Sequence, residues 1–126
     1  MIVLDANVLI SSWGRPDAHS AAAFEILETE EELVLHPVTL SESLVGPIRV
    51  GSEAEAIEDV ARLGIERYAS GLDEPLRAAR LRAETGLKLP DVYVLATAID
   101  LDATLATFDA RLASAARERG VDVVGA

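Results

Sequence analysis

The chain contains no cysteine, which excludes disulfides and thiolate metal sites and fits a reducing cytoplasm. Lys88 is its single lysine, against ten arginines, and the net charge of −11 leaves no general basic field for holding nucleic acid. No apolar run approaches the roughly 20 residues that span a membrane. Met1-Ile2-Val3-Leu4 is too short for the apolar core of a secretion signal, and Asp5 interrupts it. Glycine-rich phosphate loops are absent, so nucleoside-triphosphate binding has no support. The two histidines, His19 and His36, do not have metal-ligand spacing. Linkers, low-complexity tracts and repeats are missing too, so residues 1–126 are expected to form one domain, long enough to bury a core.

What is present is an alternation of short apolar runs with amphipathic segments. Residues 2–4, 33–36, 104–106 and 121–124 read as strands, and 65–67 as a short further one. Residues 5–10 continue the first strand as a loop or helical turn, broken at Trp13-Gly14-Arg15-Pro16. Asp17 is placed to cap a helix to about Glu28. Pro37 opens a helix that includes Glu42 and stops near Gly46-Pro47. Ser52 and Glu55 have capping-box spacing for a helix ending at Gly64. Asp73 and Pro75 start a helix closed by Gly86, Pro90 starts another through Ile99, and Asp109 caps the last, closed by Gly120. Strands alternating with helices predict a mainly parallel five-stranded sheet covered on both faces. Ligands of such sheets bind beyond the strand carboxyl ends, where the winding reverses.

Four carboxylates stand at edges of these elements. Asp5 follows the first strand, Asp109 the run Thr104-Leu105-Ala106-Thr107-Phe108, and Glu42 and Asp91 lie early in helices among apolar neighbours. Singly, most have a structural explanation: Asp109 as an N-cap, Asp91 as a first-turn acid favoured by the helix dipole, Glu42 as a solvated residue. Asp5, directly after a buried strand, has little reason to be there except as cap or ligand. If they converge, their repulsion calls for a hard cation such as Mg²⁺, and hence for phosphate chemistry. Two Mg²⁺ would bring −11 to −7 and put positive charge where a phosphate sits.

The stretches Ile2-Val3-Leu4-Asp5-Ala6-Asn7-Val8-Leu9-Ile10, Val38-Thr39-Leu40-Ser41-Glu42, Leu89-Pro90-Asp91-Val92-Tyr93-Val94-Leu95-Ala96-Thr97-Ala98 and Leu105-Ala106-Thr107-Phe108-Asp109 resemble the four acidic motifs of PIN-domain ribonucleases. In order and spacing they are most similar to the VapC-type toxins of bacterial toxin–antitoxin pairs, over residues 2–124. The resemblance implies an α/β/α sandwich and an Mg²⁺- or Mn²⁺-dependent endoribonuclease, with Asp5, Glu42, Asp91 and Asp109 at the metal-site positions. Asn7 and Thr107 would take supporting roles; Asn7 stands where Thr or Ser is also frequent. It further implies an antitoxin covering the metal groove and a homodimer. With lysine scarce, arginines must supply most RNA contacts. Arg77, Arg80, Arg82 and Lys88 form the densest basic stretch, equally readable as a solvated face, and Trp13 could stack a base or pack the loop.

Four other functions compete. A phosphatase of the haloacid-dehalogenase type would use Asp5 as nucleophile, but it needs an acid two residues later, where Asn7 stands. A receiver domain wants a lysine after its last strand, which this chain lacks. A non-catalytic interaction module would carry the acids as caps and solubilising charge, without a shared metal site. A PIN-type RNA-processing enzyme without an antitoxin differs from the toxin reading only in its partner.

Overall fold

The computed structural model describes residues 1–126. Five strands, β1 (Ile2–Leu4), β2 (Leu33–Leu35), β3 (Glu66–Arg67), β4 (Thr104–Ala106) and β5 (Val123–Val124), form one sheet in the order β3-β2-β1-β4-β5. Every pairing is parallel. The winding reverses between β1 and β4, whose register pairs Leu4 with Ala106, so Asp5 and Thr107 leave the sheet side by side.

Seven helices surround the sheet: α1 (Ala6–Trp13), α2 (Ser20–Leu27), α3 (Pro37–Arg49), α4 (Glu53–Arg62), α5 (Glu74–Thr85), α6 (Leu89–Leu101) and α7 (Ala110–Glu118). Strand pleat sorts the core into two clusters. Val3 and Leu105 face one side with Val92, Leu95 and Leu112 of α6 and α7, whereas Ile2, Leu4 and Ala106 face the other with Val8, Leu9, Ala23 and Val60 of α1, α2 and α4. That is the three-layer sandwich expected from continuously apolar strands. No helix is long and apolar enough to cross a membrane.

Several boundaries differ from the sequence expectation. Residues 6–13 are a full helix, because Asp5 adopts extended N-cap geometry and its side chain accepts the Ala6 N–H. Helix α3 continues past Gly46-Pro47 to Arg49. Pro47 removes only one late-turn donor, and its buried ring offsets the loss. Ser52 does not form the capping box: its backbone N–H and hydroxyl both donate to the Pro47 carbonyl, at 2.8 and 3.5 Å. Asp17 holds the turn before α2, accepting from His19 N–H at 2.7 Å, and the helix starts at Ser20. His36 belongs to the N-cap of α3 and not to β2. Val121 donates to Ala116 O, closing α7, which shortens the last strand to Val123–Val124.

Candidate active site

The crevice lies over the carboxyl ends of β1 and β4. Asp5 is 5% exposed. Its Oδ1 accepts from Ala6 N–H at 2.8 Å and its Oδ2 from the Thr107 hydroxyl at 2.7 Å. Thr107, fully buried, is the hub of this floor: its oxygen also accepts from Asp109 N–H at 3.0 Å and from the Asn7 amide at 3.4 Å. The Asn7 carbonyl oxygen in turn takes the Phe108 N–H at 3.3 Å. One hydroxyl and one amide thus join the start of α1 to the turn between β4 and α7. The C-terminal strand braces the same turn. A Cβ on Gly125 (φ 100°) would lie 2.5 Å from Thr107 O, so only glycine permits this approach.

Three acids surround Asp5 electrostatically. Burial is the main reason its carboxyl is raised from 3.8 to about 6; the charges of Asp91 and Asp109 add to it, while the Thr107 and Ala6 bonds oppose it. Asp91, third residue of α6, is raised by burial and then by Asp109, with Lys88 and Arg111 opposing. Glu42, on α3 at the solvent-facing rim, is raised by partial burial and then by Asp5 and Asp91. Asp109 is the N-cap of α7, its Oδ1 accepting from Arg111 and Leu112 N–H at 2.8 and 3.1 Å. The four acids named from the sequence therefore share one field, although they come from four separate segments.

The donor set suits a hard cation, since it offers only carboxylate, hydroxyl and amide oxygens, held against mutual repulsion. No three acids or histidines stand close enough to form a closed ligand cage. Mg²⁺ does not need one, because it keeps several waters and takes one or two carboxylates directly. One turn before Glu42, the Thr39 hydroxyl is fully buried with no hydrogen-bond partner.

The basic residues divide. Arg77 is taken up by a bidentate pair with Asp100. Arg80 is exposed on α5. Arg82 donates to Leu87 O at 2.6 Å, holding the link between α5 and α6. Lys88 ends that link at the N-cap of α6, three residues before Asp91. Trp13 lies elsewhere: its indole donates to Asp59 at 2.8 Å in a groove of about 430 Å³ lined also by Phe24, Leu27 and Pro47. Arg111, beside the acids, was missed by sequence reasoning; its signal is its place two residues after Asp109. His36 is a structural residue, with Nδ1 accepting from Val38 N–H and Nε2 donating to Glu74 at 2.8 Å. Tyr93 stacks on its ring.

A five-stranded parallel sheet between helical layers, with acids over its switch point, places the chain among the three-layer α/β proteins. More narrowly, the PIN domain model matches residues 2–118, and the chain belongs to that family. Among solved structures it is similar to a chain of a toxin–antitoxin complex from Klebsiella pneumoniae, at 25% identity and TM-score 0.75, covering 90% of this chain and 91% of that one. VapBC2 from Rickettsia felis bound to a promoter DNA fragment gives 17% identity and TM-score 0.69, covering 98% and 97%. FitAcB from Neisseria gonorrhoeae gives 23% and 0.66, covering 98% and 96%. The last two likenesses bear on the fold alone. No curated protein sequence matches the chain.

Proposed function

We propose that this PIN-domain protein is a divalent-metal-dependent endoribonuclease and the toxin of a type II toxin–antitoxin pair. The observation that carries the nuclease reading is the convergence of Asp5, Glu42, Asp91 and Asp109 in one field over the switch point, with the Asp5 carboxyl raised to about 6. Such mutual repulsion is costly in a bare protein and favourable around a cation. The toxin reading is supported by the likeness to a chain of the K. pneumoniae toxin–antitoxin complex over nine-tenths of both chains. An antitoxin and a second copy of this chain are the proposed protein partners.

Asp5 and Asp91 would hold Mg²⁺ or Mn²⁺, with Asp109 and Glu42 reaching it directly or through water. Such an ion would supply acidification of water and positive charge against the phosphate. Thr107 keeps the Asp5 carboxylate oriented, and the Asn7 amide fixes Thr107 in turn. Glu42, at the rim and raised by partial burial and then by Asp5 and Asp91, would accept a proton from water entering the crevice. Hydrolysis by water leaves a 5′-phosphate and a 3′-hydroxyl.

The test incubates purified protein, freed of copurifying partner, with total RNA in Mg²⁺, Mn²⁺ or EDTA, beside an Asp91→Ala control. Discrete metal-dependent cleavage with 5′-phosphate ends, lost in the control, is expected. Products with 2′,3′-cyclic phosphates would rule out the water mechanism, and metal-independent cleavage would rule out the acid site.

A further inference from the structure

The chain has twice as many acids as bases, 22 against 11, and its recorded ion pairs involve Arg62, Arg77 and Arg119, with His36 and the terminal amine. Lys88 and Arg111 are in none of them, although both border the acid crevice. Their positions are built. Link 86–88 is held from two sides: Arg82 donates to Leu87 O at 2.6 Å, and Arg111 donates to Gly86 O at 3.2 Å. The Leu87 side chain between these contacts is 2% exposed, and its N–H bonds the Thr85 hydroxyl at 3.2 Å. Lys88 therefore projects from a fixed backbone point at the start of α6, and its ammonium bonds nothing in the protein. Arg111 spends one guanidinium nitrogen on a neutral carbonyl and keeps its other donors, while its own N–H is tied to Asp109.

We propose that Lys88 and Arg111 form a two-cation phosphate clamp on the α6–α7 edge of the crevice, seating a backbone phosphate of single-stranded RNA beside Asp91 and Asp109. The inference rests on the nuclease reading above and adds the residues that grip its substrate. Guanidinium offers a planar fork to phosphate, and ammonium a point charge, so together they take one phosphate from two directions. Lys88 starts α6 three residues before Asp91, the Arg111 N–H bonds Asp109, and the Arg111 guanidinium reaches Gly86 O two residues before Lys88, so both cations stand beside the acid site. This arrangement also resolves the charge problem of an RNA enzyme at −11, because the grip is two local cations and not a basic face. Of the α5 arginines named from the sequence, Arg77 is held by Asp100 at the far end of α6 and Arg82 by the Leu87 carbonyl.

The test is steady-state cleavage of a fluorogenic single-stranded RNA with saturating Mg²⁺ over a range of salt, for wild type, Lys88→Gln, Arg111→Gln, Arg111→Lys and the double Gln variant. Each single Gln variant is expected to raise KM by about tenfold with kcat changed less than threefold. The log–log salt slope of kcat/KM should become shallower by about 0.7 for each cation removed. Arg111→Lys should recover the slope but only part of the KM. Lys88→Gln keeps the test decisive if loss of the Gly86 contact unsettles Arg111→Gln, since the Lys88 side chain has no partner to lose. An active wild type whose variants keep KM within twofold and an unchanged slope overturns the clamp alone. A wild type that cleaves no RNA under any metal overturns the nuclease reading, and the clamp with it.

Discussion

Replacing Asp5 by asparagine removes one charge from the crevice floor while keeping the shape of the side chain. The folded carboxyl titrates near 6 against 3.8 in its ordinary state, so ionising it within the fold costs about 3 kcal/mol, at 1.36 kcal/mol per unit. Between those two values the unfolded chain has lost its proton and the folded chain keeps it. Stability therefore falls as pH rises through that window, is unaffected below about 3.8, and carries the full penalty above about 6. The Asp5→Asn variant would carry no such penalty. Its side chain still accepts from Ala6 N–H, but its amide nitrogen cannot accept the Thr107 proton at the Oδ2 position, a constant cost of about 1 kcal/mol. Urea unfolding in EDTA should thus show Asp5→Asn more stable than wild type by about 2 kcal/mol at pH 7.5, with about 1.4 kcal/mol of that advantage gone at pH 5. Working at pH 5 stays above the isoelectric point near 4.5, where solubility is poorest. The charge of Asp5 also raises Glu42, so removing it shifts the profile further in the same direction. Mg²⁺ should reverse the order at pH 7.5 by stabilising wild type, by about 2.7 kcal/mol at a hundredfold excess over Kd, and leaving the variant unchanged. Parallel pH profiles for the two proteins would refute the reasoning, since they would mean that the floor carboxylate is not destabilised by its surroundings.

Three further outcomes are expected. Asp109→Asn keeps the N-cap of α7 and should leave stability within about 0.5 kcal/mol while abolishing RNA cleavage; Asp109→Ala should lose cleavage and about 1 kcal/mol as well, read by urea midpoints. Gly125→Ala forces a Cβ against Thr107 O and should cost about 1–3 kcal/mol; Gly51→Ala, with φ 79° but open space around it, should cost about 1 kcal/mol, and equal losses would disprove the brace. Arg77→Gln should lower thermal stability by breaking the pair with Asp100 and leave KM for RNA within twofold; a tenfold rise in KM would return Arg77 to the substrate path.

The layer architecture was legible because the strands are apolar on both faces, which only a covered parallel sheet accommodates. Element ends were less so. Pro47 reads as a stop because proline forfeits a helical donor, yet its burial against the α2–α4 groove outweighs that loss. Ser52-x-x-Glu55 reads as a capping box, but the Pro47 carbonyl claims the serine first, a tertiary competitor that spacing cannot reveal. At the crevice, the acids were legible as residue types at element edges, but their convergence depends on β1 pairing with β4, which local sequence permits without dictating. Arg111 escaped notice because a lone arginine in a first helical turn reads as a solvated residue until Gly86 lies beneath it.

Each acid taken alone keeps a structural explanation even in the folded protein. Asp5 caps α1, Asp109 caps α7, and Asp91 occupies the first turn of α6. Capping needs one oxygen per helix and is normally satisfied where water screens the remaining charge. Here three such starts are aimed at the same crevice and joined by Glu42, so the helix ends do not account for the burial, with mutual repulsion added to it, that raises Asp5, Asp91 and Glu42 together. Serine or threonine would cap α1 and α7 at lower electrostatic cost. On the proposed reading, something positive shares the crevice and makes carboxylates at all four places favourable: a divalent ion among the acids, and at their edge Lys88 and Arg111. The measurement that separates capping from ligation is therefore Asp5→Ser, which retains a cap. If it folds and gains stability in EDTA but no longer responds to Mg²⁺, then the aspartate is there for the ion and not for the helix. If it matches wild type in both conditions, the helix start alone explains Asp5.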